Sequence, residues 1–196
     1  MIGLFYGTRP EYIKIAPLVE EFKEKVVDYK LFQVQQHGSL LEGCDYDFII
    51  PVATFGNRLN SIITSVLNYN PLPVDLDYAL VQGDTTTAMA VAMNAFNHQI
   101  PVIHLEAGLR TFDKENPYPE EVNRRVISSL ASIHYCPTVM DARNLMREGY
   151  GNDKIVVTGN TVLDTLRDIT PSEGKEVLIT LHRRENQHNL NSWFVA

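Results

Sequence analysis

The sequence holds only two cysteines, Cys44 and Cys136, in 196 residues. Two thiols cannot build a disulfide framework, and such usage fits a reducing compartment. No apolar run approaches the ~20 residues of a membrane span; the longest are strand-sized, such as 177–181. Positive charge is in deficit, with 17 Lys and Arg against 24 Asp and Glu for a net charge of −7. That balance argues against nucleic acid as the partner, although a local basic cluster can still hold an anion. Met1 runs directly into the strand-like Ile2-Gly3-Leu4-Phe5-Tyr6, so no signal peptide is expected and the expected location is cytoplasmic. Familiar catalytic signatures are missing too. There is no GxGxxG, no Walker loop, no GxSxG elbow and no HExxH, and His182 and His188 stand six apart. These absences speak against a dinucleotide-dependent oxidoreductase and against a metal site, and no cofactor is expected.

What is present is alternation. With 44% hydrophobic and 21% charged residues, the chain reads as globular, long enough for one full domain and part of a second. The apolar pattern predicts strands near 2–6, 29–35, 47–52, 77–82, 100–105, 132–136, 153–157 and 176–181. Between them it predicts helices near 10–25, 56–69, 85–98, 119–131, 138–148 and 160–168. Stretches such as Ala79-Leu80-Val81 and Ile155-Val156-Val157 are apolar on consecutive positions, as strands are when helices cover both sheet faces. Short connections between alternating strands and helices imply right-handed βαβ units in a doubly wound parallel sheet, a Rossmann-like α/β fold. Pro17 falls inside the first helix pattern and is expected to kink it or end it early. The polar run 169–175 carries Pro171 and Gly174 and reads as a linker. Residues 1–168 then form the first domain, and 176–196 supply one strand and a tail of a second domain that is mostly absent.

In open α/β sheets ligands bind beyond the carboxyl ends of the strands. The first strand delivers Gly7-Thr8-Arg9-Pro10-Glu11, a tight turn into a helix with Pro at its favoured first position. Backbone N–H groups there, with Arg9 and Lys14, could receive a phosphate or carboxylate, or the turn is ordinary and Arg9 solvated. The fourth strand leads to Asp84 before three threonines, where helix capping competes with a chemical role. Glu106 ends the buried-looking run 101–105, where an ionised carboxylate needs a partner or a task. His104, two residues earlier, is expected on the same strand face. Glu120 and Arg124 share one helix face at i and i+4, and Val122, Val126, Ile127 and Leu130 make the apolar side. Taken alone, that pairing reads as a surface ion pair. His182, before Arg183-Arg184, could touch a phosphate, carry a proton or merely end a strand.

Together these segments resemble the non-hydrolysing UDP-N-acetylglucosamine 2-epimerases, which have the glycosyltransferase-B two-domain architecture. The matching motifs are Gly7-Thr8-Arg9-Pro10-Glu11, Gln36-His37, Gly83-Asp84-Thr85-Thr86-Thr87 and Glu106-Ala107-Gly108-Leu109-Arg110-Thr111. They continue as Pro117-Tyr118-Pro119-Glu120-Glu121-Val122-Asn123-Arg124, Thr158-Gly159-Asn160-Thr161 and His182-Arg183-Arg184-Glu185-Asn186. One departure is Val34-Gln35-Gln36-His37, where the family has Thr-Gly-Gln-His, with a shortened helix after it. Another is length, since family members run to nearly twice this size.

The resemblance implies the N-terminal half of a glycosyltransferase-B-type fold and reversible inversion at C2 of UDP-GlcNAc to give UDP-ManNAc, a step in polysaccharide biosynthesis. UDP is eliminated to leave a 2-acetamidoglucal and then added back after reprotonation from the other face, with neither metal nor redox cofactor. By motif match Asp84, Glu106 and Glu120 are acid/base candidates. Arg9, Lys14, Arg124 and His182 would bind or orient the nucleotide, His182 also being a catalytic candidate, and Gln36 and His37 would contact substrate. The expected partners are the UDP-sugar and either a second copy in a homodimer or a chain supplying the missing half; no membrane or nucleic-acid partner is expected. Two other readings compete: an epimerase-like binding module without turnover, and a different two-domain glycosyltransferase relative. The combined Glu-Ala-Gly-Leu-Arg-Thr and Pro-Glu-Glu-x-Asn-Arg motifs disfavour the last.

Overall fold

The computed structural model describes residues 1–35, 41–54, 56–69, 75–167, 169, 170, 172, 174, 175 and 177. Among them are the parallel strands β1 (Ile2–Tyr6), β2 (Tyr29–Gln35), β3 (Phe48–Pro51), β4 (Tyr78–Gln82), β5 (Val102–Leu105), β6 (Ala131–Cys136) and β7 (Ile155–Val157). The helices are α1 (Arg9–Glu24), α2 (Arg58–Leu67), α3 (Thr86–Asn97), α4 (Glu120–Leu130) and α5 (Val139–Arg147). The strands form one sheet in the order β3-β2-β1-β4-β5-β6-β7. The winding therefore reverses between β1 and β4, and a crevice opens beyond their carboxyl ends. No helix among the described residues is long and apolar enough to cross a membrane.

Burial on both faces explains the continuous apolar runs. Leu4, Leu31, Leu80, Ile103 and Leu105 pack under Ile15 and Val19 of α1. Their strand neighbours Phe5, Phe32, Val81 and Val102 face the other way, onto Ile62 and Val66 of α2, the alanines of α3 and Ile127 of α4. Phe5 stacks on Phe32 with ring centroids 4.5 Å apart, and Phe32 on Phe48 at 5.1 Å. Each fully buried side chain of this size contributes about 1.5–3 kcal/mol. Capping side chains fix where the helices begin: Thr8 for α1, Asn57 for α2, Thr85 for α3 and Thr138, in a capping box with Asp141, for α5.

Several expectations change. α1 does not end at Pro17 but runs on to Glu24. Ile15 and Val19, both buried in the core, hold the turns on either side of the proline. The helix expected over 160–168 is a 3₁₀ segment, Thr161–Leu166, lying against α1. α4 does not bury the side its apolar residues suggest. Val122 is 42% exposed, whereas Glu121, Asn123 and Ser128 are buried beside Ile127. The polar anchors that turn α4 this way belong to the site below. The strand expected at 176–181 and the tail to 196 lie outside the described residues, except for Val177.

Candidate active site

Asp84 follows β4 through Gly83, whose φ of 73° suits a residue without Cβ. The sequence made Asp84 a natural helix cap, but the cap is Thr85, whose hydroxyl accepts from the Ala88 N–H at 3.0 Å. The Asp84 carboxylate is left for Arg124. Its Oδ2 lies 2.9 Å from the Arg124 Nε and 2.6 Å from a terminal guanidinium nitrogen. Asn123 also donates to the Asp84 carbonyl, at 2.9 Å. Arg124, whose side chain is 13% exposed, thus reaches a residue 40 positions away instead of making the expected pair with Glu120. That expectation is corrected.

Glu106 lies just past β5 with a φ of 66°, a left-handed conformation that costs a residue with a Cβ about 1–3 kcal/mol. Leaving the strand there breaks the pleat alternation that would have put Glu106 beside His104. Glu106 instead meets Lys14 of α1, with Nζ 2.5 Å from Oε2. Gln82 donates to the same oxygen, and Asn160 donates to Oε1 at 3.2 Å. His104 is wholly buried, and its Nε2 donates to the Gly83 carbonyl at 2.8 Å. Burial pushes its pKa down to about 3, so the ring is neutral near pH 7.

The two adjacent glutamates of α4 behave differently. Glu121 is 0% exposed and accepts the backbone N–H groups of Thr111 at 3.0 Å and Phe112 at 3.1 Å. Burial alone would raise its pKa, but these donors and Arg124 at 3.2 Å outweigh it and hold the carboxyl below its ordinary range. This is why α4 buries its acidic side. Glu120 has a buried Oε2 with no hydrogen-bond partner among the described residues.

The structure therefore gathers Asp84, Glu106, Lys14 and Arg124 around a cleft of about 190 Å³ at the switch point, together with Thr8, Glu11 and Thr85. Leu109 and Arg124 also line a second, wider concavity of about 680 Å³, bounded by Thr111, Asn116 and Asn144. Glu120 lines neither. Arg9 is exposed, and its guanidinium donates to the Glu42 carbonyl at 3.3 Å, away from the carboxylates. Gln36, His37 and His182 lie outside the described residues. Among the described residues no group of three or more His, Cys, Asp or Glu side chains is placed to hold a metal ion. Sequence reasoning missed Gln82 and gave no role to Glu11, Asn160 and Glu121, although these three stand in the quoted motifs. Glu11 also had a local signal, the Thr-x-x-Glu spacing of Thr8 and Glu11, which is the capping-box pattern.

A parallel, doubly wound sheet with charged groups gathered at its switch point defines the Rossmann-like class of α/β protein. The sequence profile of the UDP-N-acetylglucosamine 2-epimerases matches residues 53–195. A UDP-N-acetylglucosamine 2-epimerase of Salmonella borreze is 38% identical over 94% of this chain and 57% of its own length. One from Bacillus subtilis is 39% identical over 92% of this chain and 53% of its own. The crystal structure of UDP-GlcNAc 2-epimerase from Neisseria meningitidis bound to UDP-GlcNAc superposes with a TM-score of 0.76 at 36% identity. That match covers 84% of this chain and 48% of the other. The chain belongs to the UDP-N-acetylglucosamine 2-epimerase family, and its neighbours share the glycosyltransferase-B-like fold. It spans about half the length of the curated relatives it matches.

Proposed function

We propose that this chain supplies the carboxylate-bearing half of a UDP-N-acetylglucosamine 2-epimerase, interconverting UDP-GlcNAc and UDP-ManNAc when a second nucleotide-binding unit completes the cleft. In this reading residues 1–168 are the first unit, 169–175 the linker and 176–196 the opening of the second. The observation that carries it is the pair of carboxylate–cation contacts, Asp84 with Arg124 and Glu106 with Lys14, on adjacent strand ends at the switch point of a family member.

Epimerisation at C2 needs one group to take the C2 proton while the C1–O bond to UDP breaks with its electron pair. That leaves a C1=C2 double bond. A second group must return a proton to C2 from the opposite face as UDP adds back to C1. Asp84 and Glu106 are the two proton-handling groups this geometry favours. Lys14 and Arg124 neutralise the negative charge that develops on the departing diphosphate. Glu120, whose Oε2 has no hydrogen-bond partner among the described residues, is a third candidate, and Gln36, His37, Arg9 and His182 are proposed as substrate contacts by motif match.

Titrating UDP-GlcNAc into the ¹⁵N-labelled chain with the C-terminal half of a relative added tests the placement. Resonances of Gly83–Thr85, Glu106 and Arg124 are expected to move, and Lys14→Met is expected to weaken binding roughly ten- to a hundredfold, the ~1.5–3 kcal/mol of a charged hydrogen bond. Perturbations confined to another surface would contradict it.

A further inference from the structure

The turn after β1 could have received a phosphate or carboxylate on its backbone N–H groups, and a carboxylate of the chain itself takes that place. Glu11 is 2% exposed. Its Oε2 accepts the Gly7 N–H at 2.9 Å and the Thr8 hydroxyl at 2.8 Å, and its Oε1 accepts the Thr85 hydroxyl at 2.6 Å. Each hydroxyl has one proton to give. Thr8 Oγ1 also accepts from the Glu11 N–H at 3.4 Å, and Thr85 Oγ1 from the Ala88 N–H at 3.0 Å, which leaves each hydroxyl its proton to donate toward Glu11. Thr8 caps α1 and Thr85 caps α3, so the carboxylate sits between two helix N-termini. N–H and O–H donors at helix starts are the surroundings in which other proteins hold a phosphate.

We propose that Glu11 is a positioning residue that serves as a resident anion, filling the oxyanion niche between the starts of α1 and α3 and excluding a ligand phosphate from it. Two consequences follow. The diphosphate of a UDP-sugar is directed to the Lys14 and Arg124 side of the cleft. In addition, the loops after β1 and β4 are clamped across the switch point, which fixes Asp84 beside Thr85. The first consequence rests on the epimerase reading for the identity of the diphosphate; the occupied niche itself does not.

Inorganic phosphate, followed by amide resonances of the ¹⁵N-labelled chain, separates the two. In the wild-type protein the Gly7 amide is expected to stay in place up to millimolar phosphate. Movement of Gly7 in step with added phosphate would overturn the proposal. In Glu11→Ala the niche opens, and phosphate is expected to bind at least roughly tenfold more tightly than to the wild type, with the Gly7 amide shifting downfield. A folded Glu11→Ala variant whose Gly7 amide ignores phosphate would equally overturn it. Glu11→Gln keeps the shape and removes the charge. It is expected to loosen the Gly7 and Thr85 amides, with faster hydrogen exchange, and unchanged exchange there would contradict the clamp. If Glu11→Ala does not fold, the wild-type titration still decides. If the chain shows this phosphate behaviour but, with the C-terminal half of a relative added, binds no UDP-GlcNAc, the proposed function is contradicted and the proposal stands.

Discussion

His104 and His134 face each other across β5 and β6, both wholly buried. Burial holds their pKa values down to about 3 and about 4, against about 6.5 for an ordinary histidine. Below pH ~6.5 the unfolded chain takes up protons that the folded chain refuses, so stability present at pH 7.5 is lost as the pH falls toward 4. Each ring contributes about 1.4 kcal/mol per pH unit within that window, or about 2 kcal/mol between pH 6.5 and 5.0. Glu11, whose pKa burial raises, acts in the opposite sense, so a comparison of variants isolates each histidine. Both ring nitrogens of His134 lack partners among the described residues, and an apolar ring is expected to be tolerated there. Urea unfolding of His134→Phe at pH 7.5 and 5.0 is expected to show a loss about 2 kcal/mol smaller than that of the wild type; an equal loss would contradict the buried neutral ring. At this scale the sequence was partly legible. Asp84 and Glu106 could be read because strand ends in a parallel sheet point into the crevice. The partner of Arg124 could not, since i,i+4 spacing describes one helix and is silent about an aspartate on another loop.

Elements were legible where burial is two-sided and illegible where a single polar contact decides. Consecutive apolar positions such as Ala79-Leu80-Val81 announced the strands because both faces of the sheet are covered. α4 misled because Val122 and Val126 looked like a core face while Glu121 carried the anchoring bonds to Thr111 and Phe112. No periodicity encodes that reversal. The link between β5 and α4 is set by Gly108, with a φ of 90° and only 2.3 Å between the place of an added Cβ and the Asp141 carbonyl oxygen. Gly108→Ala must therefore move backbone on α5. The expected cost is at least ~2 kcal/mol, a fall in Tm of roughly 4–8 °C. A melting temperature within about 1 °C of wild type would show that the loop yields freely. Glu121→Gln removes the negative charge that faces Arg124 and is expected to cost about 2–4 kcal/mol in urea unfolding. A loss below ~0.5 kcal/mol would place the hold on α4 elsewhere.

Across the whole molecule, the motif order pointed to one family, and the profile match and the superposed structures agree with it. The sequence carries a single strand pattern after the expected linker, and the chain spans about half the length of the curated relatives it matches. Catalysis in such a fold depends on nucleotide held against the carboxylates, and losing one side of that grip costs many orders of magnitude in rate. The deciding measurement is deuterium incorporation at C2 of UDP-GlcNAc in deuterated water, followed by NMR. It is run with this chain alone and with the C-terminal half of a relative added. The expected result is exchange at C2 and accumulation of UDP-ManNAc in the mixture, with little or none from the chain alone, and loss of both in Asp84→Asn and Glu106→Gln. Absence of exchange in a mixture that demonstrably binds UDP-GlcNAc, with amide protection showing the sheet intact, would contradict the enzymatic reading and leave a binding module that has kept the fold without the chemistry.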